Sequence, residues 1–292
     1  MADSASTGTP SGLAAVTTGG GGSGTGVERI AAAFEAARGD GRAALMPYLM
    51  GAFPDAAGAA AVAETYADAG ADLIELGIPF SDPLADGPVI HAAATAALER
   101  GATLDTALEA CDAVSGRVPV VAMIYANMIL AGGGAEAIAA RLAEAGAAGA
   151  IVPDLPPEEA GETREALAAR GLALVPLVAP TTPAERRRAI CTTAEGFVYL
   201  VSTVGVTGER KALPEELTEL IAAAREESPV PVAVGFGIST AEQAGAVGAL
   251  ADGVIIGSRL VREVADAPDA AAASDAVRAF LTEVRGAFPD RG

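Results

Sequence analysis

Glu75-Leu76-Gly77-Ile78-Pro79-Phe80-Ser81-Asp82-Pro83-Leu84-Ala85-Asp86-Gly87-Pro88 follows directly on Ala71-Asp72-Leu73-Ile74. The preceding run reads as a buried strand. Side chains alternate faces along a strand, so Leu73 and Glu75 point one way while Ile74 and Leu76 point the other. A carboxylate near the end of an apolar strand is costly to bury without a purpose. Gly77, Pro79, Pro83, Gly87 and Pro88 then forbid regular structure. A stiff loop therefore carries Asp82 and Asp86 just beyond the strand end. For Asp82 alone, a solvated acidic loop is an adequate reading; for Glu75 the periodicity puts the acid inside.

Outward from that stretch the chain alternates. Strands are expected at 44–50, 118–125, 149–152, 173–178, 196–201, 230–235 and 252–257, besides the one that ends in Glu75. Helices are expected at 27–38, 55–69, 89–100, 103–114, 135–145, 158–170, 183–192, 214–226, 239–248 and 275–285. Eight strands alternating with helices imply a parallel sheet covered by helices. An open doubly wound sheet is the rival. The count of eight, and the lack of a Gly-x-Gly-x-x-Gly after the first strand, favour an α/β (β/α)8 TIM barrel. Residues 1–26, mostly Gly, Ser, Thr and Ala, read as a disordered tail ahead of a single barrel domain at 27–292. That tail lacks the basic start and apolar segment of a signal peptide.

Composition narrows the partners. Of 292 residues, 19 are basic and 38 acidic, a formal charge of −19. That balance argues against nucleic acid or an anionic membrane as partner, and no uncharged run reaches the ~18 residues of a membrane helix. Cys111 and Cys191 form no metal or redox pattern, which fits a reduced cytoplasm. An anionic substrate would have to be held by backbone amides and helix N-termini.

Glycines supply such amides. Gly205-Val206-Thr207-Gly208, Gly235-Phe236-Gly237 and Gly257-Ser258 follow the sixth, seventh and eighth expected strands. Barrels often bind phosphate at the last two of these loops. Any one pair can end a strand for turn reasons alone; the three together point to a phosphorylated substrate. Lys211, the sole lysine, lies in the charged run Glu209-Arg210-Lys211, an unpromising place for a Schiff base. His91, the sole histidine, sits near a helix start and reads as a surface or packing residue. The His or Cys ligands of a catalytic zinc are missing. Carboxylates remain as the acid–base groups. If carbon–carbon cleavage is involved, the substrate must absorb the electrons itself, as an aromatic heterocycle can.

The stretch from Glu75 to Pro88 resembles the signature of the tryptophan synthase alpha chain family. Tyr125-Ala126-Asn127, Pro153-Asp154-Leu155-Pro156, the run from Tyr199 to Gly208, Gly235-Phe236-Gly237-Ile238-Ser239 and Gly257-Ser258 resemble family segments in the same order, from about Val27 onward. The resemblance implies a (β/α)8 barrel lyase that cleaves indole-3-glycerol phosphate into indole and glyceraldehyde 3-phosphate in tryptophan biosynthesis. It implies no cofactor in this chain, and a pyridoxal-phosphate-dependent beta chain as partner in an α2β2 assembly. By the same resemblance, Glu75 matches the acid–base glutamate and Asp86 the acceptor of the indole N–H. Thr207 matches a lid residue that meets that aspartate, within a loop at 202–213 expected to be mobile without ligand. Tyr199 matches a tyrosine beside the reacting glycerol chain, Tyr48 and Tyr125 wall positions around the substrate, Gly208, Phe236, Gly237, Gly257 and Ser258 the phosphate site, and Asp82 the contact with the beta chain. Gly51-Ala52-Phe53-Pro54 departs slightly from the family's turn, and Tyr48 stands where phenylalanine is common.

Two other readings stand beside it. An indoleglycerol-phosphate synthase would use lysine acid chemistry, which a chain with only Lys211 fits poorly. A catalytically silent barrel that only activates a partner is at odds with intact Glu75 and Asp86.

Overall fold

The computed structural model describes residues 24–201, 213–235 and 237–291. Nine strands form one parallel sheet: β1 (Ala44–Met50), β2 (Ile74–Gly77), β3 (Val120–Met123), β4 (Gly149–Ile151), β5 (Ala173–Val175), β6 (Leu177–Val178), β7 (Val198–Val201), β8 (Val232–Gly235) and β9 (Gly253–Ile256). Their order is β5-β4-β3-β2-β1-β9-β8-β7-β6. The two ends of that order, β5 and β6, are separated in the chain only by Pro176. The sheet therefore curls into a barrel of eight staves whose fifth is interrupted.

The expected fifth strand, 173–178, is thus split, and the split has a physical cause. Proline has no N–H to give a ladder. Its carbonyl still accepts the Tyr199 N–H at 3.0 Å, so the stave changes partners there, from β4 on one side to β7 on the other.

Alternation along the staves separates two cores. Ala44 and Met46 of β1, Leu73 ahead of β2, Val121 and Met123 of β3, Ile151, Val175, Tyr199, Ala233 and Ile255 share the inner cluster. Leu45, Leu49, Ile74, Leu76, Val120, Ala122, Val198, Val234 and Val254 belong to the outer cluster, against the helices. The period of two that places Glu75 on the Leu73 side is therefore observed in three dimensions.

The floor of the barrel is closed by the helix Gly26–Gly39. Its Thr25 hydroxyl accepts the Glu28 N–H at 3.2 Å, and the Glu28 carboxylate accepts the Thr25 N–H at 2.7 Å. This reciprocal cap satisfies backbone donors that would otherwise be orphaned. Ile30, Phe34 and Ala37, at helical spacing, are buried in the inner cluster. Phe34 meets Phe197 with ring centroids 5.7 Å apart. One helix is additional to those expected and another is longer. Ala126–Ala131 adds a turn after β3, and the last helix starts at Ala270, where Asp269 accepts the Ala272 N–H at 2.9 Å.

Because Phe34 seals the floor, Phe34→Ala should destabilise the barrel by ~3–5 kcal/mol. Denaturant unfolding would check this; a loss below ~1 kcal/mol would show that the helix is not part of the core.

Candidate active site

Glu75 sits on β2 beside Tyr48 of β1 and Val121 of β3. It is 2% exposed, and charged side chains are rarely so buried without a paired charge. Among the described residues, neither carboxylate oxygen finds a hydrogen-bond partner of normal geometry. Burial pushes its pKa from 4.5 up to about 8, and the nearby Asp86 charge adds to the rise; the Tyr199 hydroxyl offsets it only in part. At neutral pH the group is therefore mostly the neutral acid, able to give a proton.

Two tyrosines frame it from opposite sides of the mouth. Tyr48 and Tyr199 are both buried, and both have pKa values raised well above the ordinary phenol, first by burial. Each lies over a glycine two residues along the neighbouring strand, Tyr48 over Gly77 and Tyr199 over Gly235. A Cβ at either glycine would collide with the phenol ring. The Tyr66 hydroxyl donates to the Tyr48 carbonyl at 3.1 Å.

Asp86 is half-buried at the end of the loop after β2. Burial raises its pKa, while the Tyr125 hydroxyl and the His91 charge pull it down. Tyr125 also accepts the Ala85 N–H at 3.1 Å and stacks on Phe80 with centroids 5.0 Å apart. It grips the loop at three points. The residue expected as a pocket wall thus faces the loop and holds Asp86, whereas Met123 of β3 lines the cavity. Asp82 is exposed and accepts from Ser81 Oγ at 2.6 Å. Asp154, also at a strand end, accepts the Ala126 N–H at 2.8 Å and so caps a helix.

Glu75, Tyr48, Tyr199 and Asp86 line a cavity of about 310 Å³. Gly237, Ser239, Gly257 and Ser258 line it too, and Ile90 and Ile255 supply apolar wall. Gly237 has φ +80°, a conformation glycine adopts without strain. Ser258 opens the helix Ser258–Asp266, whose first turn presents backbone N–H groups and a positive dipole end. The cavity is therefore lined both by a buried acid and by the opening residues of a helix, the kind of terminus that can hold an anion. Thr207, Gly208, Phe236, Lys211 and most of the expected lid lie outside the described residues.

Arg259 and Arg262 also line the cavity, and sequence reasoning missed them. The available signal was their position in the helix opened by Gly257-Ser258. A larger hollow, about 620 Å³, lies between the helices Ala56–Asp68 and Ala270–Ala287. Its polar groups are already engaged, since Arg100 donates to the Pro54 carbonyl at 2.6 Å and Asp55 accepts the Gly58 N–H at 2.8 Å. Size alone does not mark the chemistry here.

A sequence model described as tryptophan synthase alpha chain matches residues 34–287. The tryptophan synthase alpha chain of Synechococcus sp. (strain CC9902) is 47% identical over 261 residues, 88% of this chain and 96% of that one. That of Dechloromonas aromatica (strain RCB) is 42% identical over 262 residues, 89% and 97% of the two. Among solved structures, a Mycobacterium tuberculosis tryptophan synthase superposes with a TM-score of 0.81 at 37% identity, covering 89% of this chain and 98% of that chain. A tryptophan synthase alpha chain from Legionella pneumophila subsp. pneumophila gives 0.80 at 34%, covering 89% and 97%.

The raised pKa of Glu75 makes stability depend on pH. The folded chain holds this proton more tightly than the unfolded one, so the contribution is complete below pH 4.5 and is lost as pH rises through about 8. Glu75→Gln should flatten that slope and should gain on the wild type by a few kcal/mol, on the order of ~2–4, at the alkaline end; parallel stability curves would refute it. Tyr125→Phe removes the hydroxyl that lowers the Asp86 pKa. The carboxyl carbon of Asp86, followed by NMR titration, should therefore move to a higher midpoint; an unmoved midpoint would exclude that bond.

Proposed function

The chain belongs to the tryptophan synthase alpha chain family, a lyase that cleaves indole-3-glycerol phosphate to indole and D-glyceraldehyde 3-phosphate in tryptophan biosynthesis, and on that premise we propose how its residues perform the cleavage. Glu75 gives its proton to C3 of the indole. The ring becomes an indolenine-like electron sink, and the bond from C3 to the glycerol chain breaks toward it. The resulting carboxylate takes the proton from the adjoining glycerol hydroxyl as that carbon becomes an aldehyde. The net transfer is one proton from oxygen to carbon, so Glu75 ends as it began.

Asp86 accepts the indole N–H and supports the positive charge that develops on it in the transition state. Tyr48 and Tyr199 flank the reacting chain, and Tyr125 acts at one remove, through the loop that carries Asp86. Gly237, Gly257 and Ser258 bind the phosphate; the family resemblance assigns Gly208 and Phe236 to the same site and Thr207 to the lid, all three outside the described residues. The observation that carries this reading is the cavity itself: the acid whose pKa reaches about 8 and the first residues of the helix Ser258–Asp266 line the same cavity.

The chemistry asks for no cofactor in this chain, and among the described residues no group of three or more His, Cys, Asp and Glu could hold a metal. A beta chain is the partner we assign, carrying pyridoxal phosphate, in an α2β2 assembly. Leu84 and Leu130 are 91% and 76% exposed in the segments that follow β2 and β3. Large apolar side chains left in water beside the barrel mouth suit such a docking face, and Asp82, on the same loop as Leu84, would join it. The catalytic unit is assigned to 27–292, with 1–26 outside it. Among the described residues no helix is long and apolar enough to cross a membrane, and a cytoplasmic location fits the reaction.

The test is release of indole from indole-3-glycerol phosphate by the isolated chain, with and without a beta chain. Glu75→Gln should lower turnover ~10²-fold or more with substrate affinity near normal. Near-normal turnover in that variant would remove the assignment, and no indole under either condition from the wild type would favour a silent barrel.

A further inference from the structure

The phosphate end of the cavity contains a cation that the backbone reading does not use. Arg262 is on the helix Ser258–Asp266, four residues after Ser258, and lines the same cavity as Glu75, Gly237 and Ser258. Residues four apart share one helix face. Side chains on a helix lean toward its N-terminus, which puts the turn that begins at Ser258 within reach of a long stem at this position. The other arginine of this helix is engaged: Arg259 pairs with Glu263 at 2.5 Å and lies 4.9 Å over the Phe280 ring. Among the described residues no ion pair engages Arg262, and it is exposed. In a chain of formal charge −19, a dianionic substrate otherwise approaches against the net field.

We propose that the Arg262 guanidinium binds the substrate's phosphate from the side chain, beside the backbone N–H groups of the helix terminus. This deepens the phosphate assignment above and rests on it. A guanidinium offers two parallel N–H donors to two phosphate oxygens, where backbone N–H groups offer one each. Arg262 also borders an apolar groove with Phe53 and Val89. A purely structural arginine would lay its stem there and ignore the anion. The two roles differ in what they do to phosphate binding.

Titration of the full chain with glycerol 3-phosphate and, separately, with indole decides between them. In Arg262→Gln the dissociation constant for glycerol 3-phosphate should rise about tenfold while that for indole stays put. The KM for indole-3-glycerol phosphate should rise with kcat unchanged, and Arg262→Lys should recover part of the loss. Glycerol 3-phosphate affinity within about twofold of wild type in Arg262→Gln would overturn the proposal. So would an equal weakening for indole accompanied by a fall in Tm, since that is the mark of a packing role. If glycerol 3-phosphate fails to compete with indole-3-glycerol phosphate in the wild type, the phosphate site itself is misplaced and both readings fall. Competition in the wild type with an indifferent Arg262→Gln removes only the arginine's part.

Discussion

One carboxylate buried in an apolar barrel is the constraint on which the rest depends. Removing an ionised carboxylate from water costs far more than its neighbours here return, so the group responds by keeping its proton. Glu75 is 2% exposed, and among the described residues its oxygens lack normal hydrogen-bond partners; burial takes its pKa to about 8. The same burial that destabilises its charged form makes it a proton donor at neutral pH. A more generous shell of donors would stabilise the carboxylate and remove the acid.

The surroundings preserve that balance. Helix Gly26–Gly39 shuts the floor, with Ile30, Phe34 and Ala37 in the inner cluster. The two tyrosines take their places over Gly77 and Gly235, so small residues on two staves decide where large ones on their neighbours can lie. The Asp86 charge raises the Glu75 pKa further, and the position of Asp86 is set by the Tyr125 grip on its loop. Acid strength at β2 is thus linked to a tyrosine on the segment after β3, through a loop that touches both.

Much of this was legible in the sequence. Strand parity put Glu75 on the Leu73 face, and the inner and outer clusters follow that parity around the barrel. The prolines and glycines after Gly77 marked a loop, and Gly257-Ser258 marked a candidate source of backbone amides after the eighth strand. Other features depend on three-dimensional neighbours and leave no local trace. The break at Pro176 shows only when β4 and β7 are seen to pair with different halves of one stave. Tyr125 looks like a wall residue by position, and its partners Phe80 and Ala85 are some 40 residues away in sequence. Arg259 and Arg262 read as surface charges until the helix is placed against the mouth. Thr207, Gly208 and Phe236 lie outside the described residues, so their roles rest on the family pattern.

The central claim is the protonation state of Glu75. Its direct measure is the carboxylic acid carbonyl band in isotope-edited infrared spectra, taken as the difference from Glu75→Gln across a pH series. The account predicts a protonated band that persists at pH 7 and titrates with a midpoint about 8. A band already gone at pH 7, with a midpoint near the ordinary 4.5, would contradict it.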